Sequence, residues 1–194
     1  MSFSAPVLIL YGSTYGHTEN YARWLQEKLA NAGFAHTTTL AISDVDEDAL
    51  TDTSIVVVGT SDYGGFLNGA STLRKFLPQL ENKKLFFFTV SFNGLVGSTR
   101  EKLDEKVVKS FTPALVATAP TFHLRGGLDH TRLSTTHKTV LQGVRVALST
   151  KLKKNLGNQQ MLESFSQGKA DYSDPESLNP LVQTIVEAQD ASAS

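Results

Sequence analysis

Four short runs of the chain, 6–11, 54–59, 84–91 and 114–122, are rich in Val, Ile, Leu or Phe at neighbouring positions. A strand with one face in water alternates apolar and polar residues. Continuous apolar runs suit strands buried on both faces, as in a parallel sheet covered by helices. Between the runs the period changes: residues 18–32 place Tyr21, Ala22, Leu25 and Leu29 on one helical face, and helical patterns recur over 70–80 and 99–110. A weaker strand candidate covers 35–42. Over 175–188, Leu178, Leu181, Ile185 and Ala188 stand at roughly helical spacing and predict a closing helix. Strand and helix in alternation predict an α/β fold, doubly wound, with five parallel strands. The 194 residues suit one domain spanning 1–194. Residues 123–174 exceed the usual ~2–6-residue strand-to-helix connection, so they read as an insert after the fifth strand.

Composition narrows the chemistry. The chain is 40% hydrophobic and 19% charged, enough apolar surface for a core and too little charge for a disordered chain. It has no cysteine, which removes disulfides, thiolate nucleophiles and iron–sulfur clusters, so redox chemistry would need a bound cofactor. A balance of 18 basic and 19 acidic side chains recommends no nucleic acid partner. The apolar run near the N-terminus is too short for a signal peptide, and no stretch reaches the ~18 apolar residues of a membrane span. A cytoplasmic location is expected.

Charge is uneven along the chain. Residues 83–154 carry 13 basic and 4 acidic side chains, whereas the flanking segments are acidic. Within the insert, 138–154 reads as a basic amphipathic helix, with Leu141, Val144, Leu148 and Leu152 on one stripe and Lys138, Arg145, Lys151, Lys153 and Lys154 elsewhere. Such a helix either docks on its own domain or lies on an anionic membrane surface, which would place the protein peripherally at the inner face of the membrane. His123, His130 and His137 recur every seven residues, a spacing that matches no recognised zinc pattern, and no metal site is predicted. Neither Ser13 nor Ser61 lies in the Gly-x-Ser-x-Gly elbow of an acyl-transfer nucleophile.

In a doubly wound sheet, ligands bind beyond the carboxyl ends of the strands. The loop after the first strand, Ser13-Thr14-Tyr15-Gly16-His17-Thr18, carries hydroxyls and a glycine before a helix, where free amides and the helix dipole favour a phosphate. Its hydroxyls suit plain helix capping equally well. It has neither the Gly-Lys-Ser/Thr of a nucleoside triphosphate site nor the Gly-x-Gly-x-x-Gly of a dinucleotide site, so a single terminal monophosphate fits better. The loops Thr60-Ser61-Asp62-Tyr63-Gly64-Gly65 and Ser91-Phe92-Asn93-Gly94 each set an aromatic among glycines and small polar groups, a combination suited to a flat ring.

These three loops resemble the flavin-mononucleotide loops of the flavodoxin family, in the same order along the chain. The resemblance implies a flavodoxin-like sheet of order 2-1-3-4-5, with FMN as cofactor. Residues 13–18 would hold its phosphate, 60–65 would flank the isoalloxazine, and 91–94 would line the ring's other side. Tyr15 departs from the family's Thr/Ser-x-Thr-Gly-x-Thr pattern. Phe-His-Leu-Arg-Gly-Gly-Leu-Asp at 122–129, the insert, and Ala-Asp-Tyr-Ser-Asp at 170–174 are similar to the flavodoxin-type menaquinone-dependent protoporphyrinogen oxidases. An FMN-dependent oxidoreductase is therefore expected, quinone-linked and acting on protoporphyrinogen or a similar reduced substrate, with its electron donor or acceptor a quinone or a redox protein. A soluble flavodoxin-type carrier is the alternative, and a flavin-free protein-binding domain the third. No catalytic side chain follows from the resemblance.

Overall fold

The computed structural model describes residues 3–63, 66–117, 119–150 and 156–193. Its strands are β1 (Val7–Gly12), β2 (Thr37–Ala41), β3 (Ile55–Tyr63), β4 (Phe66–Leu67), β5 (Lys84–Ser91), β6 (Thr121–Arg125), β7 (Gly127–Asp129) and β8 (Lys169–Asp171). The helices are α1 (His17–Asn31), α2 (Glu47–Thr51), α3 (Ala70–Leu73), α4 (Leu77–Leu80), α5 (Gly94–Gly97), α6 (Arg100–Ser110), α7 (Pro113–Ala117), α8 (Thr135–Thr150), α9 (Leu156–Gln167) and α10 (Asn179–Ala193). The main sheet runs β2-β1-β3-β5-β6 with every pair parallel, which is the expected 2-1-3-4-5 order once β4, a two-residue antiparallel extension of β3, is set aside.

The consecutive apolar runs serve both faces. Leu8, Leu10, Val56, Val58 and Phe87 point to the side closed by Leu50, Leu73, Leu80, Val107 and Phe111. Val7, Ile9, Ile55, Val57, Phe86 and Phe88 point to the other, where Tyr21, Ala22, Leu25 and Leu29 of α1 and Leu181 and Ile185 of α10 cover them. Period-2 geometry sends alternate side chains to opposite faces, so only an unbroken apolar run fills both layers.

Two strand boundaries differ from expectation by several residues. The fifth strand is not 114–122: Pro113–Ala117 is helix α7, and β6 begins at Thr121. Ala, Leu and Val fit a buried helix as well as a strand, and here Thr112 accepts from the Leu115 amide ahead of Pro113 in the first turn, a helix start that overrides the apolar run. The third strand runs past Gly59 to Tyr63, so Thr60–Tyr63 is strand rather than loop. Gly64 and Gly65 lie outside the described residues, as does the side chain of Tyr63.

The insert leaves β6 at Gly126 rather than at 123, because His123, Leu124 and Arg125 pair with β5 and complete the strand. Strands β7 and β8 pair antiparallel at its base, α8 and α9 lie between them in the chain, and Leu128, Leu133 and Leu141 form a small core with Tyr15, Phe92, Met161 and Phe165 packed against it. Helix α8 starts three residues before the expected 138, with the Ser134 hydroxyl accepting from the His137 amide. Lys151, Leu152, Lys153 and Lys154 lie outside the described residues. The apolar stripe of α8 is turned inward: Leu141 is 8% exposed, while Val146 is 63% exposed. Leu141 and Val144 thus face their own domain, and Lys138, Arg145 and Val146 face outward. No described helix is long and apolar enough to cross a membrane.

Candidate functional site

The β1–α1 turn is built around two glycines. At Gly12 a Cβ would overlap the carbonyl oxygen of Asn68. Gly16 sits at φ 93, a left-handed conformation that L side chains rarely adopt, and its amide donates to Ser13 Oγ at 3.0 Å. No side chain caps α1. Thr18, in the first turn, is fully buried, yet its hydroxyl has no hydrogen-bond partner among the described residues. The Thr14 hydroxyl accepts from Asn68 Nδ2 at 2.9 Å and keeps its own proton to donate.

Across the turn, Ser61 on β3 also buries a hydroxyl without a partner among the described residues. Asp62 is ion-paired with Lys106 of α6. In the turn after β5, Ser91 Oγ accepts from the Gly94 amide at 2.9 Å, and Asn93 Oδ1 is buried with no partner among the described residues. A cavity of about 230 Å³ joins these pieces, lined by Ser13, Thr14, Tyr15, His17 and Thr18 from the first loop, Ser61 and Asp62 from the second, and Ser91 and Phe92 from the third. Gly16, Asn93 and Gly94 shape the turns without lining it. Thr60 is a buried strand residue, paired with Gly12 on one side and Thr89 on the other, and does not reach the cavity.

The rest of the lining was missed from the sequence: Val90, Gly126, Gly127 and Leu128 from the sheet edge and insert base, Val140, Leu141 and Val144 from α8, and Met161 from α9. The helical stripe of α8 was legible; what it covers was not. Tyr15 explains part of the docking. Its hydroxyl bonds to Nδ1 of His137 on α8, so the residue that breaks the loop pattern spends its hydroxyl on the insert.

His17 is held at the end of the insert's return strand β8, with Nδ1 3.7 Å from Asp171 Oδ1 and 3.2 Å from Ser173 Oγ just beyond it. Burial would raise the Asp171 carboxyl, but bonds from the Ser173 hydroxyl and amide, helped by the charge of His17, hold it below the usual carboxylate range. The three evenly spaced histidines have separate partners: His123 with Thr89 and Asp104, His130 with Ser164, and His137 with Tyr15.

A family model described as the flavodoxin domain matches residues 8–156, which span the sheet, all three loops and α8. The chain belongs to the flavodoxin domain family. Flavodoxin-domain proteins bind a flavin and pass electrons to redox partners. Among solved structures, a mutant of flavodoxin from Pseudomonas aeruginosa is 24% identical, covering 73% of this chain and 95% of its own, with a TM-score of 0.45. The two-electron reduced flavodoxin of Megasphaera elsdenii is 21% identical, covering 59% of this chain and 82% of its own, at 0.44. A flavodoxin from the domain Archaea is 11% identical, with 84% and 98% covered, at 0.41. No curated protein matches the chain.

Proposed function

We propose that this chain binds FMN in the cavity between the β1–α1 turn, β3 and the 91–94 turn, and acts as an oxidoreductase that passes electrons through it. The carrying observation is a pair of buried hydroxyls without partners, Thr18 Oγ1 and Ser61 Oγ, on that one cavity. Leaving a buried polar group unsatisfied costs about 1–3 kcal/mol. A phosphate at the uncapped head of α1 and the polar edge of a flat ring would satisfy both. Ser13, Thr14 and Thr18 are the residues to hold the phosphate; Ser61, Asp62, Ser91 and Phe92 are those to line the ring. Bound FMN supplies the two-electron chemistry, while Val140, Leu141, Val144 and Met161 give the cavity an apolar wall on the insert side.

Within that class, a quinone-linked enzyme acting on protoporphyrinogen or a similar large reduced substrate is favoured by the apolar roof that the insert adds. The outward Lys138 and Arg145 would draw such a protein to an anionic membrane by about 1 kcal/mol each, a contact through charge, since the apolar stripe is already docked. A soluble electron carrier is the second reading, favoured by the family itself. Titration by flavin fluorescence quenching tests the first step: FMN binds at least tenfold more tightly than riboflavin, and equal affinities would remove the phosphate from the proposal. Anaerobic turnover of protoporphyrinogen with a menaquinone separates enzyme from carrier. Absence of that turnover, with the flavin exchanging electrons only with a redox protein, selects the carrier.

A further inference from the structure

Arg125 closes β6 and meets three elements. Its Nε donates to the carbonyl of Phe92 at 3.2 Å, its Nη2 donates to Oε1 of Gln160 on α9 at 2.8 Å, and its guanidinium carbon lies 3.8 Å from the ring centroid of Tyr172. The Tyr172 ring in turn stands edge-on to Phe92, with centroids 5.4 Å apart. The backbone is pinned as well, since the Tyr21 hydroxyl donates to the Arg125 carbonyl at 2.7 Å. All of these partners are neutral. Among the described residues no carboxylate lies within ion-pair distance of Arg125, and Asp62, the acid lining the cavity, is already paired with Lys106. A half-buried cation with no counter-charge among the described residues therefore rests on the main chain of Phe92, whose side chain lines the cavity, while Arg125 itself stays outside the lining.

We infer that Arg125 is a positioning residue whose charge favours the reduced, anionic form of a flavin held against Phe92, and so raises the potential of the site. This rests on the FMN reading above. Two-electron reduction by an external donor, with one proton taken from water, adds one negative charge to the ring. A fixed cation nearby stabilises that product over the neutral oxidised ring, and partial burial limits the screening.

The test measures the FMN midpoint potential by anaerobic titration with dithionite and an equilibrating dye. Arg125→Gln removes the charge and lowers the reduced-to-oxidised affinity ratio about tenfold, equivalent to about 30 mV for a two-electron couple. Arg125→Lys keeps the charge and holds the potential near that of the wild type. Gln160→Glu is the deciding variant, because it sets a carboxylate on the guanidinium without removing the clamp. The charge role predicts a lower potential there as well, whereas a purely structural clamp would be tightened and the potential left alone. FMN binding with a potential unmoved by Gln160→Glu and Arg125→Gln overturns the inference alone. A chain that binds no FMN overturns the reading beneath it too.

Discussion

Thr18 and His123 are both buried polar side chains, and they differ in one respect: His123 has both ring nitrogens bonded, while the Thr18 hydroxyl has no partner among the described residues. Thr18→Val removes a hydroxyl that the free protein leaves unsatisfied, so the thermal midpoint without FMN should stay level or rise. FMN affinity should fall roughly ten- to hundredfold, the worth of a hydrogen bond to a charged group at about 1.5–3 kcal/mol, and riboflavin affinity should hold. Calorimetric titration of both ligands checks this. For His123, burial pushes the imidazole below its ordinary value against the pull of Asp104, and burial does the same to His130. The neutral ring donates from Nε2 to Asp104 and accepts from Thr89. The unfolded chain takes up a proton first, so stability is full above pH ~6.5 and declines as pH falls below it toward the folded value. Urea unfolding between pH 7 and 5 should show this slope in the wild type and a shallower one in His123→Gln.

Helix α8 owes its position to a few side chains: Leu141 in the insert's small core, Val144 facing the cavity, and His137 bonded to Tyr15. That core has three buried hydrophobic residues beside the two large layers of the main sheet, and it should therefore open on its own. Leu141→Ala should speed amide exchange across α8 while leaving β1, β3 and β5 protected, and should weaken FMN retention more than it lowers the global unfolding midpoint. Uniform loss of protection across sheet and insert would mean that the two unfold together. Helix α8 also marks where sequence periodicity stops being informative. The spacing of Leu141, Val144 and Leu148 predicts an inward face at any site, and the same stripe would suit a membrane; contact with Tyr15, 122 residues earlier, settles which surface it covers.

In the whole molecule, the family's sheet presents three loops at one edge, and the insert closes over them. Binding to the folded state alone stabilises by about 2.7 kcal/mol at a ligand concentration 100-fold above Kd, and a chain of this size gains about 2–4 °C per kcal/mol. FMN at that excess should raise the thermal midpoint by about 5–10 °C, and the same concentration of riboflavin by clearly less. Differential scanning fluorimetry read by tryptophan emission checks both.

The five parallel strands and the helices between them were legible in the chain because they depend on local pattern, unbroken apolar runs for strands covered on both faces and a helical period between them. The order of the strands in the sheet came from the family resemblance, since local pattern does not encode it. The fifth strand was misplaced because Ala, Leu and Val at 115–117 satisfy helix and strand alike, and the Thr112–Pro113 start decided for the helix. Nothing local distinguishes the end of a buried strand from the turn after it, so Thr60 reads as loop from the sequence and is strand in the structure. Ser61 and Thr18 were legible as candidates, but that both are buried without partners on one cavity required strands and helices far apart in the chain to meet. The roof of Val140, Leu141, Val144 and Met161 and the Arg125 clamp belong to the tertiary structure alone, because they arise where the insert folds back across β7 and β8, and no short-range period encodes which distant surface a docked face will find.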